Sequence, residues 1–135
     1  VKILDTDHCV AILRGRLDLR SRARPDDNLA ITTITLGELV YGAHKSARPN
    51  DNLARLDAFL VGLDLLPFEV ASAHRYGCLR ASLEKHGQTI SDLDLQIACI
   101  ALQTDAPLLT HNRQHFERLT QYAELCLEDW LNPEN

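Results

Sequence analysis

The stretch Lys2-Ile3-Leu4-Asp5-Thr6-Asp7 decides how the rest of the chain is read. A short apolar run meets two acids and a threonine, as when a buried strand gives way to a helix. The same alternation recurs outward from it. Residues 29–32 predict a second strand, followed by a helix over about 34–46 in which Thr35 and Glu38 stand in the S/T-x-x-E relation of a capping box. Arg48-Pro49-Asn50-Asp51 breaks that helix, and Leu53, Leu56, Phe59, Leu60 and Leu63 then recur at helical spacing. Residues 64–67 read as a third strand with Leu65 and Leu66 turned inward, and 69–86 as a helix closed by Gly87. Residues 91–104 predict another helix, with Ile97, Ala98, Ala101 and Leu102 facing the core. Residues 107–110 and 124–127 supply two more short strands. Strands alternating with helices imply a parallel sheet covered on both faces. The expected fold class is therefore α/β, a three-layer α/β/α domain with a short-stranded central parallel sheet, spanning residues 1–135.

A chain of 135 residues with 45% hydrophobic content suits one domain with a substantial core. No apolar run reaches the roughly 18 residues that span a bilayer, and the N-terminus lacks a signal-peptide layout. The expectation is a cytoplasmic protein with no membrane segment. Four scattered cysteines (Cys9, Cys78, Cys99, Cys126) form no CxxC pair, and most have apolar neighbours, so reduced and buried thiols are expected. A formal net charge of −5 argues against indiscriminate nucleic-acid binding. Its distribution is uneven, however. Arg14, Arg16, Arg20, Arg22 and Arg24 share their segment with only Asp18, a local +4 that leaves −9 on the remainder. Such a segment is either a solvated helix face or a grip for phosphates.

In an open parallel sheet, ligands collect beyond the carboxyl ends of the strands. Asp5 follows the first strand, Glu38 is expected in the first turn after the second, and Asp94 in the first turn of the helix that starts near Ser91. Asp7 and Asp92 stand close enough in sequence to support them. Carboxylates converging from distant segments repel one another unless a cation holds them. Oxygen donors without Cys or His point to Mg²⁺ or Mn²⁺ rather than zinc. Each acid also has a purely structural explanation, since Ser91 with Asp94 and Thr35 with Glu38 make capping-box patterns and Asp5 or Asp7 can serve as an N-cap.

The chain resembles the PIN-domain toxins of the VapC type. The segments that carry the resemblance, in order along nearly the whole chain, are Ile3-Leu4-Asp5-Thr6-Asp7, Ile34-Thr35-Leu36-Gly37-Glu38-Leu39-Val40-Tyr41-Gly42-Ala43, Asp94-Leu95-Gln96-Ile97-Ala98-Cys99, Leu109-Thr110-His111-Asn112-Arg113-Gln114-His115-Phe116-Glu117-Arg118 and Leu127-Glu128-Asp129-Trp130. The resemblance implies a PIN fold and an endoribonuclease dependent on Mg²⁺ or Mn²⁺. It also implies a homodimer, neutralised by a cognate VapB-type antitoxin whose C-terminal segment covers the active site. By position, Asp5, Glu38 and Asp94 match the acidic metal-site residues, and Asp7 falls where many relatives carry Asn. Many PIN proteins have a fourth acid where this chain has Asn112, which implies fewer direct ligands, with Thr110 and Asn112 holding water or phosphate. His115 also stands where relatives often have an acid. Some related toxins cut a single transfer RNA, which makes initiator transfer RNA a candidate substrate.

Other constellations are weaker. Asp5-x-Asp7 after an apolar strand also suits a haloacid-dehalogenase-like phosphatase, but that motif wants Thr or Val where Cys9 stands, and its downstream lysine and paired acids are not evident. His111 and His115 lack the adjacent Glu of a zinc hydrolase. A catalytically silent protein-binding module would use the amphipathic helices near 53–63 and 69–84 as its surface, and would have no need of a divalent ion.

Overall fold

The computed structural model describes residues 1–132; residues 133–135 of the expected domain lie outside the described residues. Five strands, β1 (Lys2–Leu4), β2 (Leu29–Thr32), β3 (Asp64–Leu66), β4 (Leu108–Leu109) and β5 (Leu127–Glu128), form one sheet in the order β3-β2-β1-β4-β5. Every neighbouring pair is parallel. The chain builds outward from β1 to β3, then crosses back and adds β4 on the other side of β1. That reversal places the topological switch point between β1 and β4, and Asp5 and Thr110 follow directly at their carboxyl ends.

Alternation along the strands divides the core into two layers. Ile3, Ala30 and Leu108 face α5 (Val70–Lys85), α6 (Asp92–Thr104) and α7 (Arg113–Glu117), which bring Leu79, Leu83, Leu95, Ile97, Ala98 and Phe116. Leu4, Ile31 and Leu109 face α1 (Thr6–Leu13), α3 (Thr33–Lys45) and α4 (Pro49–Leu60), packing with Cys9, Leu39, Leu56 and Trp130. A short helix, α2 (Leu19–Arg22), lies between α1 and β2. The three-layer α/β/α expectation therefore holds. No helix among the described residues is long and apolar enough to cross a membrane.

Several local expectations are corrected. The capping box of Thr35 and Glu38 does not form. The N-cap of α3 is Thr32, whose side chain accepts the Thr35 N–H at 3.1 Å, so β2 runs straight into the helix and Glu38 falls in its second turn. Pro49 starts α4, where its missing N–H costs nothing, and Leu63 lies beyond that helix. Leu65 is 45% exposed because β3 is an edge strand, paired only with β2. The last strand is shifted to Leu127–Glu128, after the buried Leu125. All four cysteines are free, but only Cys9 and Cys99 are buried. Cys78 and Cys126 are exposed, the first on the side of α5 away from Leu79 and Leu83, the second just before an edge strand. The Gly87 expectation stands, since it follows the C-cap His86 with φ +68°.

Candidate active site

Asp5 is the N-cap of α1, because the chain leaves β1 in extended conformation and turns at once into the helix. Its Oδ1 accepts the Thr6 N–H at 2.8 Å, and its Oδ2 accepts the Thr110 hydroxyl at the same distance. The β1–β4 pairing brings Thr110 alongside across 105 residues of sequence. Asp5 is only 5% exposed. Burial, the charge of Asp7 and, more weakly, that of Asp94 drive its carboxyl up to about 7, although the bonds from Thr110 and Thr6 pull the other way.

Asp7 has the opposite balance. Burial disfavours its charge, but the His8 side chain and the backbone N–H of His111 outweigh that cost and hold the carboxyl below its ordinary value. The contacts are His8 Nδ1 to Oδ1 at 2.9 Å and His111 N–H to Oδ2 at 2.9 Å, with the Thr110 hydroxyl 3.4 Å from Oδ2. Two carboxylates separated by one residue are thus set apart by environment, one protonated near neutrality and one ionised.

Glu38 reaches the same corner from α3, where its Oε1 accepts the Thr6 hydroxyl at 2.9 Å. Asp94 approaches from the first turn of α6, its N–H capped by Ser91 Oγ at 3.3 Å and its carboxylate 3.8 Å from His115 Nδ1. His115 in turn lies 2.9 Å from the Asn112 amide, and the Asn112 N–H donates to Thr110 Oγ1 at 3.0 Å. Asp92 does not join this group. Its carboxylate accepts the Tyr76 hydroxyl at 2.9 Å and lies 3.3 Å from Arg80, so α5 holds it.

The structure adds residues that the sequence reading passed over. His8 is fully buried, and its Nε2 accepts the backbone N–H of Trp130 at 2.9 Å. Because that nitrogen accepts, the ring proton sits on Nδ1 and is donated to Asp7. Asp129, 4% exposed, accepts from His111 Nδ1 at 2.9 Å through Oδ2 and from the Leu131 N–H through Oδ1. A buried polar chain therefore ties the C-terminal turn to Asp7. Its only sequence signals were a histidine among apolar neighbours right after Asp5-x-Asp7 and the closing Asp129-Trp130.

Among the described residues, no three His, Cys, Asp or Glu side chains are already gathered tightly enough to form a metal shell. The donor chemistry nevertheless suits a hard divalent cation, since Asp5 is buried beside two like charges and oxygen donors dominate.

Two hollows flank these acids. A groove of about 250 Å³ between α1, α3 and α4 is walled by Val10, Leu13, Leu39 and Leu56, with Arg14 and Glu38 also lining it. A cleft of about 400 Å³ is lined by Lys2, Arg22, Arg24, Arg113, Asp129 and Trp130, among others. The arginine-rich segment is therefore divided, because α1 ends before it and α2 turns it toward the C-terminal turn. Arg14 belongs to the groove and Arg22 and Arg24 to the cleft, while Arg16 and Arg20 line neither.

Comparison with known proteins places these features in a family. The model of the PIN domain matches residues 2–121. The chain is 36% identical to Ribonuclease VapC2 of Rickettsia felis, over 96% of this chain and 98% of the relative. It is 33% identical to the tRNA(fMet)-specific endonuclease VapC of Shigella flexneri, over 95% and 96%. The crystal structure of DNA-bound VapBC from Salmonella typhimurium superposes with a TM-score of 0.87 at 32% identity, covering 96% of this chain and 98% of that one.

Proposed function

This chain belongs to the PIN-domain family, and from that premise we propose that it is the endoribonuclease toxin of a toxin–antitoxin pair. In this reading Mg²⁺ or Mn²⁺ is held by Asp5, Glu38 and Asp94. The observation that carries it is the buried Asp5 carboxyl, driven to about 7 by desolvation and by its neighbours Asp7 and Asp94, at the carboxyl end of the central strand. A divalent ion relieves that repulsion, and when bound it supplies Lewis-acid stabilisation of a phosphodiester and activation of a water.

The chain's own residues set the stage. The Thr6 N–H and Thr110 hydroxyl fix both oxygens of Asp5, and Thr6 also orients Glu38. His8 and His111 keep Asp7 ionised, which suits it to assist through water. In this reading Thr110 and Asn112, joined by the Asn112 N–H to Thr110 Oγ1 bond, hold water or a phosphate oxygen. In-line attack leaves a 3′-hydroxyl and a 5′-phosphate. The specificity in the name of the Shigella relative makes initiator transfer RNA a candidate substrate, and the cytoplasm the matching compartment.

The cognate partner in this reading is a VapB-type antitoxin whose C-terminal segment lies over the acids. The groove beside Glu38, with its apolar walls and Arg14, suits an amphipathic segment. A homodimer is also proposed, supported by apolar surface near the β3 edge, where Val61 and Val70 are 82% and 75% exposed.

The test is Mn²⁺-dependent cleavage of total bacterial RNA by antitoxin-free protein, compared with Asp94→Asn. Discrete products that disappear with chelator and in the variant are expected. A folded wild type that cuts nothing, or a variant that cuts equally well, would overturn the assignment.

A further inference from the structure

An acidic centre repels RNA, so the phosphates on either side of the one being cut need cations from elsewhere in the fold. The 400 Å³ cleft has that chemistry. Arg22 and Arg24 reach it from α2 and the turn after it, Arg113 from the start of α7, and Lys2 from β1. The two acids in its wall are already engaged. Glu128 lies 3.3 Å from Lys2, and Asp129 accepts from His111 and from the Leu131 N–H. Lys2 is further committed to Asp27 at 3.8 Å and sits over the Trp130 ring at 5.4 Å, which makes it part of the wall. Arg113 lies 3.7 Å from Glu117 on an exposed helix surface, a weak pairing. Both acids of the cleft wall thus have partners other than Arg24 and Arg113.

The cleft is also continuous with the site. Asp129 forms its wall and bonds His111 Nδ1, and the His111 N–H holds Asp7. Arg113, in the cleft wall, follows Asn112 directly, so cleft and site adjoin along the chain as well. Guanidinium groups fit phosphate and carboxylate alike. Continuity with a centre that acts on a phosphodiester favours the next phosphates of the same strand over a separate acidic peptide.

We propose that this cleft is the subsite for the RNA backbone flanking the cut position, gripped by Arg24 and Arg113. The proposal rests on the ribonuclease reading. It reassigns the grip from the contiguous 14–24 segment to residues from two distant parts of the chain.

The experiment measures binding of labelled total bacterial transfer RNA to the Asp94→Asn protein in Mg²⁺ as salt is raised. The added pair Arg24→Gln and Arg113→Gln is expected to flatten the slope of log affinity against log salt by about 1.5, near 0.7–0.9 for each lost contact. Lysine at both positions restores the slope, because the charge returns. Arg16→Gln, exposed and outside the cleft, leaves it unchanged. An unchanged slope in a folded double variant, while wild type still cuts RNA, overturns the cleft and spares the ribonuclease reading. If wild type neither cuts nor binds the RNA, both fail. A double variant that loses binding to a synthetic acidic peptide but keeps the RNA slope identifies a peptide site, which also overturns the proposal.

Discussion

Replacing Asp5 with Asn should stabilise the metal-free protein at pH 8 and make almost no difference at pH 4. Folding moves this carboxyl from 3.8 to about 7, which penalises its charged form by about 4 kcal/mol at roughly 1.4 kcal/mol per tenfold change. The raised value belongs to an acid, so the native state binds the extra proton. Stability is therefore greatest below the unfolded value near 4, declines as pH rises, and reaches its full loss above about 7. The amide reproduces the protonated carboxyl. Its oxygen can accept the Thr6 N–H, and its NH₂ can donate to Thr110 Oγ1 once that hydroxyl turns to Asp7 Oδ2. Imperfect geometry in that exchange costs about 1 kcal/mol, leaving a net gain of about 2–4 kcal/mol at pH 8. Urea denaturation of both proteins in chelator, at steps from pH 4 to 8, measures the difference directly. Other titrating groups shift both curves alike, so only the gap between them reports Asp5. A gap that stays constant across this range would refute the argument that burial and like charge, rather than hydrogen bonding, govern this residue.

Below about pH 7, Mn²⁺ affinity should fall close to tenfold per pH unit as protons compete for Asp5, and should level off above it; calorimetric titration at several pH values gives the slope, and a flat profile from pH 5 to 7 would exclude Asp5 as a ligand. His8→Ala orphans the buried Trp130 N–H and removes a donor to Asp7, so it should destabilise the fold by about 2–4 kcal/mol in denaturant titrations, whereas a loss below about 0.5 kcal/mol would mean that the buried chain is unimportant. Thr32→Val removes the cap of α3 and should cost about 1–2 kcal/mol, with an unchanged melting temperature counting against Thr32 as the start of that helix. Gly87→Ala meets no atom within 4 Å, so its cost should be the left-handed strain alone, about 1 kcal/mol by the same denaturation assay.

Much of the fold was legible because its signals are local. Apolar runs bounded by acids, prolines and glycines marked all five strands to within a few residues, and the alternation of strand and helix specified a parallel sheet. The helix from α6 and its Ser91 cap were readable for the same reason, as was Gly87. Where the reading slipped, the end of a strand or its place in the sheet decided the matter. Leu65 looks like a core residue until β3 proves to be the edge, and Thr35 looks like a cap until Thr32 at the end of β2 takes that role.

The site divides along the same line. Residue type and spacing alone nominated Asp5, Asp7, Glu38, Asp92 and Asp94, because acids after strands and in early helical turns can be recognised without coordinates. Which of the acids share one environment could not be read that way. Asp92 and Asp94 are neighbours in sequence, yet α5 takes one and leaves the other beside His115. Asp5 and Asp7 are equally close, yet one is driven toward protonation and the other held ionised. His8, Asp129 and Arg113 entered only when the β1–β4 pairing and the C-terminal turn brought distant segments together. Burial, hydrogen bonding and the fields of neighbouring charges depend on separations in space, and those are settled by tertiary packing rather than by order along the chain.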